Sequence, residues 1–507
     1  MKSQSCDNKI WLGILGVVAV CLLSRLPQLT SPYFHADYNG DECVLGLMAK
    51  HMAQGQEFPF YFWGQSYGFC WLEAGMVALA IKFFGIGLFS LKVPMLLLWT
   101  LGCVFFYGAC GLWTNRIYSF WITCLLIFSP AWMGWSMRAR GGYLSAFLLS
   151  SVVLFLLARH GSKLNKRVCW TIGILSGFIF FSQPIFLLGV LPLLGQAQLK
   201  QKSIRNIFIC MAGFVGVFIL GKVMAPLQGN TEYWQPAWFR ADDFSVFVST
   251  FKDRVFHALN QDSGFGKNWA PAVISNAWCV VALVGFVMYI WGLLIKKART
   301  LSTPFLISVV LILGCTFFIN CEDQYRYLLS LSVFLILWFA VQSFEWVHKS
   351  VFLKALLGLG IGVFIVLGIL TAWNYRYTYR VKPIVSNEVP EMQKISKVIE
   401  FLKASGVKYV FSLDDDLSWK LMFFSREEII SRWMSMRSRQ PVYARAVTQA
   451  FFSGQKVALV GHMLDEILAY VIVASEGKPE VVADPYFVDL FPSPKLIVEK
   501  LRFQVVQ

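Results

Sequence analysis

The chain has 507 residues, 57% of them hydrophobic and 15% charged, with a formal charge of +16 and a mean hydropathy of +0.58. An average soluble chain carries roughly 45–50% apolar and about 25% charged residues, so the surplus here must face lipid; disordered, collagen-like, coiled-coil and nucleic-acid-binding proteins are excluded together. The positions of the cations make the basic excess a matter of membrane topology rather than of a polyanion partner.

A helix needs about 20 mostly apolar residues to cross a ~30 Å hydrocarbon core. Such stretches recur at 10–26, 88–113, 118–137, 143–157, 169–181, 185–196, 207–223, 273–295, 305–319, 328–341 and 351–372, which gives about eleven expected transmembrane helices in a module spanning 1–372. The first follows Lys2 and Lys9 but lacks a small-residue cleavage site, so a retained helix is expected rather than a signal peptide. The segments flanking Gln183-Pro184 suit either two helices or one broken helix.

A cytoplasmic N-terminus places Arg116, then Arg159, Lys163, Lys166 and Arg167, then Lys200, Lys202 and Arg205, then Lys296, Lys297 and Arg299, then Lys349 and Lys354 on the inner side. Segments 28–87, 224–272 and 373–507 then fall outside. The last is the sizeable hydrophilic block and reads as a small α/β domain. Ile395, Val398, Ile399 and Leu402 repeat at helical spacing, Gly406 stops that helix, 407–413 and 456–460 read as strands, and a further helix is expected near 464–473. The expected fold is therefore an all-α polytopic membrane protein carrying a small extracytoplasmic α/β domain.

Most of the twelve Cys lie inside apolar runs and no C-x-x-C pair occurs, which argues against a zinc ribbon or redox motif. Cys43 and Cys70 share the first outer loop, where a disulfide and two buried thiols are both open.

Polar residues beside a bilayer are expensive and therefore informative. The densest group is the first outer loop, with His35, Asp37, Asn39, Gly40, Asp41 and Glu42. Asn39-Gly40 signals a turn, and Val44, Leu45, Leu47, Met48 and Met52 follow at helical spacing, so Asp41 and Glu42 open an amphipathic helix. Acidic residues there are also ordinary helix N-terminal chemistry. Beyond them, Phe58, Tyr61, Trp63, Gln65, Tyr67 and Glu73 mix aromatic and polar groups in a way that suits a sugar or lipid headgroup, although an interfacial aromatic belt has the same composition.

The run Asp41-Glu42-x-Val44-x-Gly46-Leu47-Met48-Ala49, with Phe58-Pro59, Gly64-Gln65-x-Tyr67-Gly68 and Glu73-Ala74 after it, resembles the first extracytoplasmic loop of the GT-C superfamily. Within that superfamily it looks most like the bacterial relatives of protein O-mannosyltransferases and the lipid A aminoarabinose transferases, glycosyltransferase families 39 and 83. Arg138-Ala139-Arg140-Gly141-Gly142-Tyr143 resembles a second stretch of the same subfamily, and Val407 to Val410 with Phe423 to Ile430 resembles its small C-terminal domain. Two departures are Asp414-Asp415-Asp416 in place of an aromatic pair, and Ser182-Gln183-Pro184 without an aromatic.

The resemblance implies a glycosyltransferase that takes its sugar from a polyprenyl-phosphate donor at the outer face, with Asp41 as the essential acid and Glu42 beside it. Phosphate leaves as a stable anion, so one base suffices where a glycosidase needs two carboxylates. Asp41 is the expected base of an inverting transfer to a hydroxyl-bearing lipid, glycan or protein. Fixed cations belong beside the leaving phosphate, and Arg138, Arg140 and Arg326 are the candidates. Asp37, Gln65, Tyr67 and Glu73 are candidates for substrate binding. Some superfamily members hold a divalent metal, for which Asp37, Asp41, Glu42 and Glu73 offer oxygens at a spacing that selects no particular ion.

Other features carry structural readings. Asp414 to Asp416 read as a solvated loop or helix cap, and Gly358, Gly360 and Gly362 as a close helix-packing face. His35 and His257 read as structural. Trp234, Trp238, Arg240, Asp242 and Asp243 are candidates for an acceptor cleft. The rival functions are a transporter or flippase of lipid-linked sugars, an inactive scaffold of the same architecture, and a transferase of whole lipid-linked oligosaccharides. The sequence contains no Asn-x-Ser/Thr sequon, which favours a bacterial inner membrane over the endoplasmic reticulum.

Overall fold

A computed structural model describes residues 2–30, 39–65, 67–161, 163–228, 302–315, 329–374, 391–434, 439–462 and 480–490, with the single positions 287, 290, 492 and 497. The expected helix at 464–473 lies outside the described residues, as does that at 273–295 apart from positions 287 and 290. The bundle comprises α1 (Lys2–Thr30), α4 (Leu88–Trp113), α5 (Arg116–Ile127), α6 (Pro130–Trp135), α7 (Tyr143–His160), α8 (Lys166–Ser182), α9 (Pro184–Gln201) and α10 (Ile204–Leu227). It continues with α11 (Ser302–Cys315), α12 (Leu329–Lys349) and α13 (Val351–Asn374). Between α1 and α4 lie α2 (Gly40–Ala53) and α3 (Trp71–Phe84). Among the described residues α4, α7 and α10 are each long and apolar enough to cross a membrane, and shorter apolar helices pack beside them. Ile207, Phe208, Met211, Val215 and Ile219 leave α10 apolar on its exposed side, the surface expected of a helix that faces lipid.

One expected span is broken. The stretch 118–137 divides into α5 and α6 because Pro130, at the first turn of α6, has no amide to continue the ladder of α5. The polar groups at the break are met by Arg25, a buried residue of α1. Its Nη2 donates to the Ile127 carbonyl and its Nε to Ser136 Oγ, both at 2.7 Å. Among the described residues nothing packs against Gly358, Gly360 and Gly362: an added Cβ at any of them would meet none of those residues within 4 Å. Cys43 and Cys70 are buried free thiols.

The two ends of the bundle differ in chemistry. At one end Gln201 Nε2 and Asn206 Nδ2 both donate to the Leu164 carbonyl, at 2.6 and 2.9 Å, joining the α7–α8 and α9–α10 turns. Arg116, Arg159, Lys163, Lys166, Arg167, Lys200, Lys202 and Arg205 all lie in or beside the turns of this end. At the other end the amides of Gly68 and Phe69 donate to the Phe181 carbonyl at 2.7 and 2.9 Å, and Gln183 Nε2 donates to the Gly141 carbonyl at 3.2 Å. Residues 164 and 201 therefore share one end and residue 183 the opposite one. The α8–α9 pair is a hairpin turned at extended Gln183, not one broken helix.

The remaining helices are α14 (Glu391–Ala404), α15 (Asp415–Phe424) and α16 (Pro441–Phe452). They cover a five-stranded sheet of β1 (Tyr409–Ser412), β2 (Ile430–Trp433), β3 (Val457–His462), β4 (Glu480–Ala483) and β5 (Tyr486–Asp489), in the order β2-β1-β3-β5-β4. β1 runs parallel to both β2 and β3, and β5 runs antiparallel to β3 and β4. Ile395, Val398, Ile399 and Leu402 of α14 are buried, as their helical spacing predicts. Loops that follow the carboxyl ends of parallel strands are where α/β sheets usually build their sites. Here β1 leads directly into α15, and β2 leads towards Arg439 and α16.

That edge of the sheet is docked on α2. Trp419, Met422, Phe423 and Tyr443 share one apolar core with Val44, Leu47 and Met48 of α2 and Leu91 and Met95 of α4. Gly46 permits the approach, since a Cβ there would run into the Phe423 ring on one side and lie 2.9 Å from Leu91 on the other. Gly46→Val is expected to cost about 1–3 kcal/mol of stability by overpacking. Limited proteolysis of the purified variant should show faster cleavage within 391–462 than in the wild type; equal rates would contradict the wedge.

Candidate functional site

Asn39 caps α2: its Oδ1 accepts the Asp41 amide at 2.8 Å and its carbonyl accepts the Glu42 amide at 2.9 Å. Successive helical residues point roughly 100° apart, so the two neighbouring carboxylates look in different directions.

Asp41 faces the seam between membrane helices and sheet domain. Its Oδ2 accepts from Arg140 Nε at 2.8 Å and its Oδ1 pairs with Arg439 Nη1 at 3.1 Å. The three side chains keep 16–18% exposure, so they border solvent without being fully hydrated. Each guanidinium also lies over a ring, Arg140 at 5.6 Å from Trp135 and Arg439 at 5.4 Å from Phe62. Arg138 lies over the same Trp135 at 5.4 Å. Arg439 further faces Asp415, whose carboxyl is pushed up by burial and drawn back by the guanidinium. Gly141 and Gly142 carry the arginine segment into α7 with φ of 62° and 87°, the left-handed region that suits glycine. A Cβ at Gly142 would lie 2.7 Å from the Phe69 carbonyl, whereas one at Gly141, next to Arg140, would meet none of the described residues within 4 Å.

Glu42 turns inward and is fully buried. Its Oε1 accepts from Lys92 Nζ of α4 and from the Ala139 amide, the latter at 3.1 Å, while its Oε2 accepts no hydrogen bond among the described residues. Ala139 lies between Arg138 and Arg140, so this buried pair fixes the segment that carries Arg140. Glu42 thus reaches Asp41 indirectly, through the arginine segment.

Glu73 is placed differently from its expected substrate-binding role. It is fully buried, and its carboxylate accepts the amides of Gly142, Leu144 and Ser145 at 3.0–3.1 Å and Ser145 Oγ at 3.2 Å. α7 begins after glycine with no capping side chain of its own, and the carboxylate of α3 supplies the cap. Gln65 and Tyr67 are half-buried in the turn before Gly68, at the same end of the bundle as Asp41. Asp37 and Arg326 lie outside the described residues, as do His35, His257 and the group Trp234, Trp238, Arg240, Asp242 and Asp243.

Of the four carboxylates considered for a metal, the three that are described, Asp41, Glu42 and Glu73, do not form one ligand set. Asp41 is held by arginines, Glu42 by Lys92 and Glu73 by α7, and no group of three or more His, Cys, Asp or Glu side chains converges there. Of the acidic run, Asp414 caps α15 by accepting the Leu417 amide at 2.8 Å, in keeping with its expected capping role. Asp416 instead accepts the Gly40 amide and pairs with Lys420, itself held by Glu391 at 2.6 Å.

A second contact fastens the sheet domain to the far end of α2. Glu427, at φ 65°, pairs with Lys50, accepts from the Tyr443 hydroxyl and meets His51 Nε2 at 2.9 Å. Burial opposes charge on His51, but hydrogen bonds to Glu427 and Glu57 outweigh it and hold the imidazole up at about 9. Burial likewise opposes charge on Glu427, yet His51, Lys50 and Tyr443 bring it down to about 2. His51 has a raised value in the folded protein, so its contribution is complete below its ordinary value and lost as pH rises through about 9. That of Glu427 is present above the ordinary carboxylate range and lost as pH falls through about 2. Hydrogen exchange across α16 is therefore expected to accelerate between pH 7 and about 9.5, and His51→Gln should flatten that rise. An unchanged pH profile in His51→Gln would contradict the latch.

Lys92 and Arg439 are site residues that sequence reasoning did not single out. Lys92 had a signal, being an ionisable residue inside an apolar span. Arg439 had none, because only the sheet's register brings it to Asp41.

No protein-family model matches the sequence and no curated protein matches it significantly. Solved structures do. ArnT from Cupriavidus metallidurans bound to undecaprenyl phosphate aligns over 95% of this chain and 97% of its own, with a TM-score of 0.60 at 12% identity. The chain has the GT-C fold. It is accordingly a polytopic integral membrane protein. The same GT-C fold appears in an oligosaccharyltransferase of Archaeoglobus fulgidus tethered to an acceptor peptide containing the NVT sequon, which aligns over 92% of this chain and 70% of its own at 11% identity and a TM-score of 0.52. The archaeal AglB from the same organism, in complex with an inhibitory peptide and a dolichol-phosphate, aligns over 92% and 71% at 10% identity and a TM-score of 0.51.

Proposed function

We propose that this protein is a membrane glycosyltransferase that moves a sugar from a polyprenyl-phosphate donor to a hydroxyl of a lipid, glycan or protein acceptor, on the extracytoplasmic face of a bacterial inner membrane. The observation that carries the reading is Asp41, a partly exposed carboxylate between two guanidinium groups at the end of the bundle away from the turn cations. Undecaprenyl phosphate in one structure of the same fold and dolichol-phosphate in another support a polyprenyl-phosphate donor.

In the proposed step the acceptor oxygen attacks the anomeric carbon as the bond from that carbon to the phosphate oxygen breaks. The acceptor proton passes to Asp41, the electron pair of the broken bond stays on the polyprenyl phosphate, and the anomeric centre inverts. In this reading Arg140 and Arg439 stabilise the negative charge that grows on the leaving group; each guanidinium lies over a ring that supports its position. Glu42 acts as a positioning residue through Lys92 and Ala139.

The test uses the full chain in lipid nanodiscs with purified polyprenyl-phosphate sugars. Appearance of free polyprenyl phosphate together with a glycosylated acceptor supports the reading. Passage of intact donor across the bilayer without cleavage would replace it with transport.

A further inference from the structure

Arg439 reaches Asp41 from the sheet domain, and Arg140 reaches it from the membrane segment. Both oxygens of the carboxylate are thereby engaged, one by each guanidinium. Each guanidinium contact occupies a lone pair of the carboxylate that would otherwise be open to an acceptor's proton. Yet each arginine contacts Asp41 through a single nitrogen of a group that has five N–H donors and matches phosphate by two parallel bonds. All three side chains border solvent, and an added Cβ at Gly141, beside Arg140, would meet none of the described residues within 4 Å.

Resting on the function proposed above, we infer that Arg439 is a donor-phosphate ligand supplied by the sheet domain and that phosphate and Asp41 compete for the same two guanidinium groups. Without donor, Asp41 is neutralised and idle. When the donor's phosphate draws Arg439 and Arg140 to itself, the carboxylate is released beside the anomeric carbon and can accept a proton. The exchange sets an order in which donor binds before acceptor is activated, and it keeps the base quiet towards water in the empty site.

The experiment measures binding of undecaprenyl phosphate to the full chain in detergent for wild type, Asp41→Asn, Arg439→Gln, Arg439→Lys and the Asp41→Asn/Arg439→Gln double variant. Asp41→Asn removes the competitor and is expected to tighten binding about fivefold. Arg439→Gln is expected to weaken it by about tenfold or more, with partial recovery in Arg439→Lys. In the Arg439→Gln background the gain from Asp41→Asn should shrink to about twofold or less, a coupling that a merely structural arginine would not produce. Wild-type binding that Arg439→Gln leaves intact, or a full gain from Asp41→Asn in both backgrounds, would overturn the exchange alone. Absence of wild-type binding would overturn the polyprenyl-phosphate reading and the exchange together.

Discussion

Asp41→Asn is expected to lower sugar transfer by about 10²–10⁴-fold, the usual worth of a positioned general base, while the protein stays folded in the membrane. The substitution keeps the size of the side chain and one oxygen acceptor, so Arg140 retains a partner, and α2 keeps its cap because Asn39 supplies it. A loss of transfer with unchanged membrane abundance and unchanged melting separates chemistry from folding. Near-normal turnover would remove Asp41 from the mechanism. The variant also bears on the order of events: if donor phosphate releases the base, Asp41→Asn should bind donor well and stall after it, so that donor accumulates on the protein instead of washing off.

Lys92→Met is the second large effect. Lys92 and Glu42 are 2% and 0% exposed, and removing one partner leaves the other as an uncompensated buried charge, which costs about 3–5 kcal/mol. Because Glu42 also holds the Ala139 amide, the loss should spread to the segment carrying Arg140. Glu42→Gln combined with Lys92→Met removes both charges and keeps an acceptor for that amide, so stability is expected to return to within about 1–2 kcal/mol of wild type. Thermal melting of wild type, Lys92→Met and the double variant in one detergent checks this. A double variant no more stable than Lys92→Met alone would show that the pair is not the unit of stabilisation. Activity is informative too, for a positioning role predicts that Glu42→Asp, which retains the charge, restores transfer through kcat more than through KM.

Much of the membrane part was legible because each helix announces itself locally. The stretch 88–113 coincides with α4, and the ends of α7, α8, α9 and α10 fall within a few residues of the apolar runs. Apolar length missed what depends on a partner. Pro130 divides the expected 118–137 helix, and α3 went unrecognised because its opening residues, Leu72 to Gly75, looked like part of an aromatic loop. In the sheet domain β1 was readable because it lies within the longer strand-like run 407–413, and β3 because it overlaps the run 456–460, whereas β2, Ile430-Ser431-Arg432-Trp433, as short as β1, lies in no such run and β4 and β5 went unread. Of the site, Asp41 and Arg140 came from recurring sequence stretches. Arg439 is brought to them by the order of strands, and Glu73 became a helix cap only once α3 was set against the glycine start of α7.

The contacts that complete the site join distant parts of the chain: Gly40 to Asp416 and Lys50 to Arg426 each span 376 residues. During synthesis α1 and α2 leave the ribosome long before the sheet exists, so the face of α2 that packs on Trp419 and Phe423 waits uncovered through the insertion of every later helix. On the proposed orientation the sheet must also be carried across the bilayer before it can dock. The protein would thus remain inert until the sheet domain has been delivered and folded against α2.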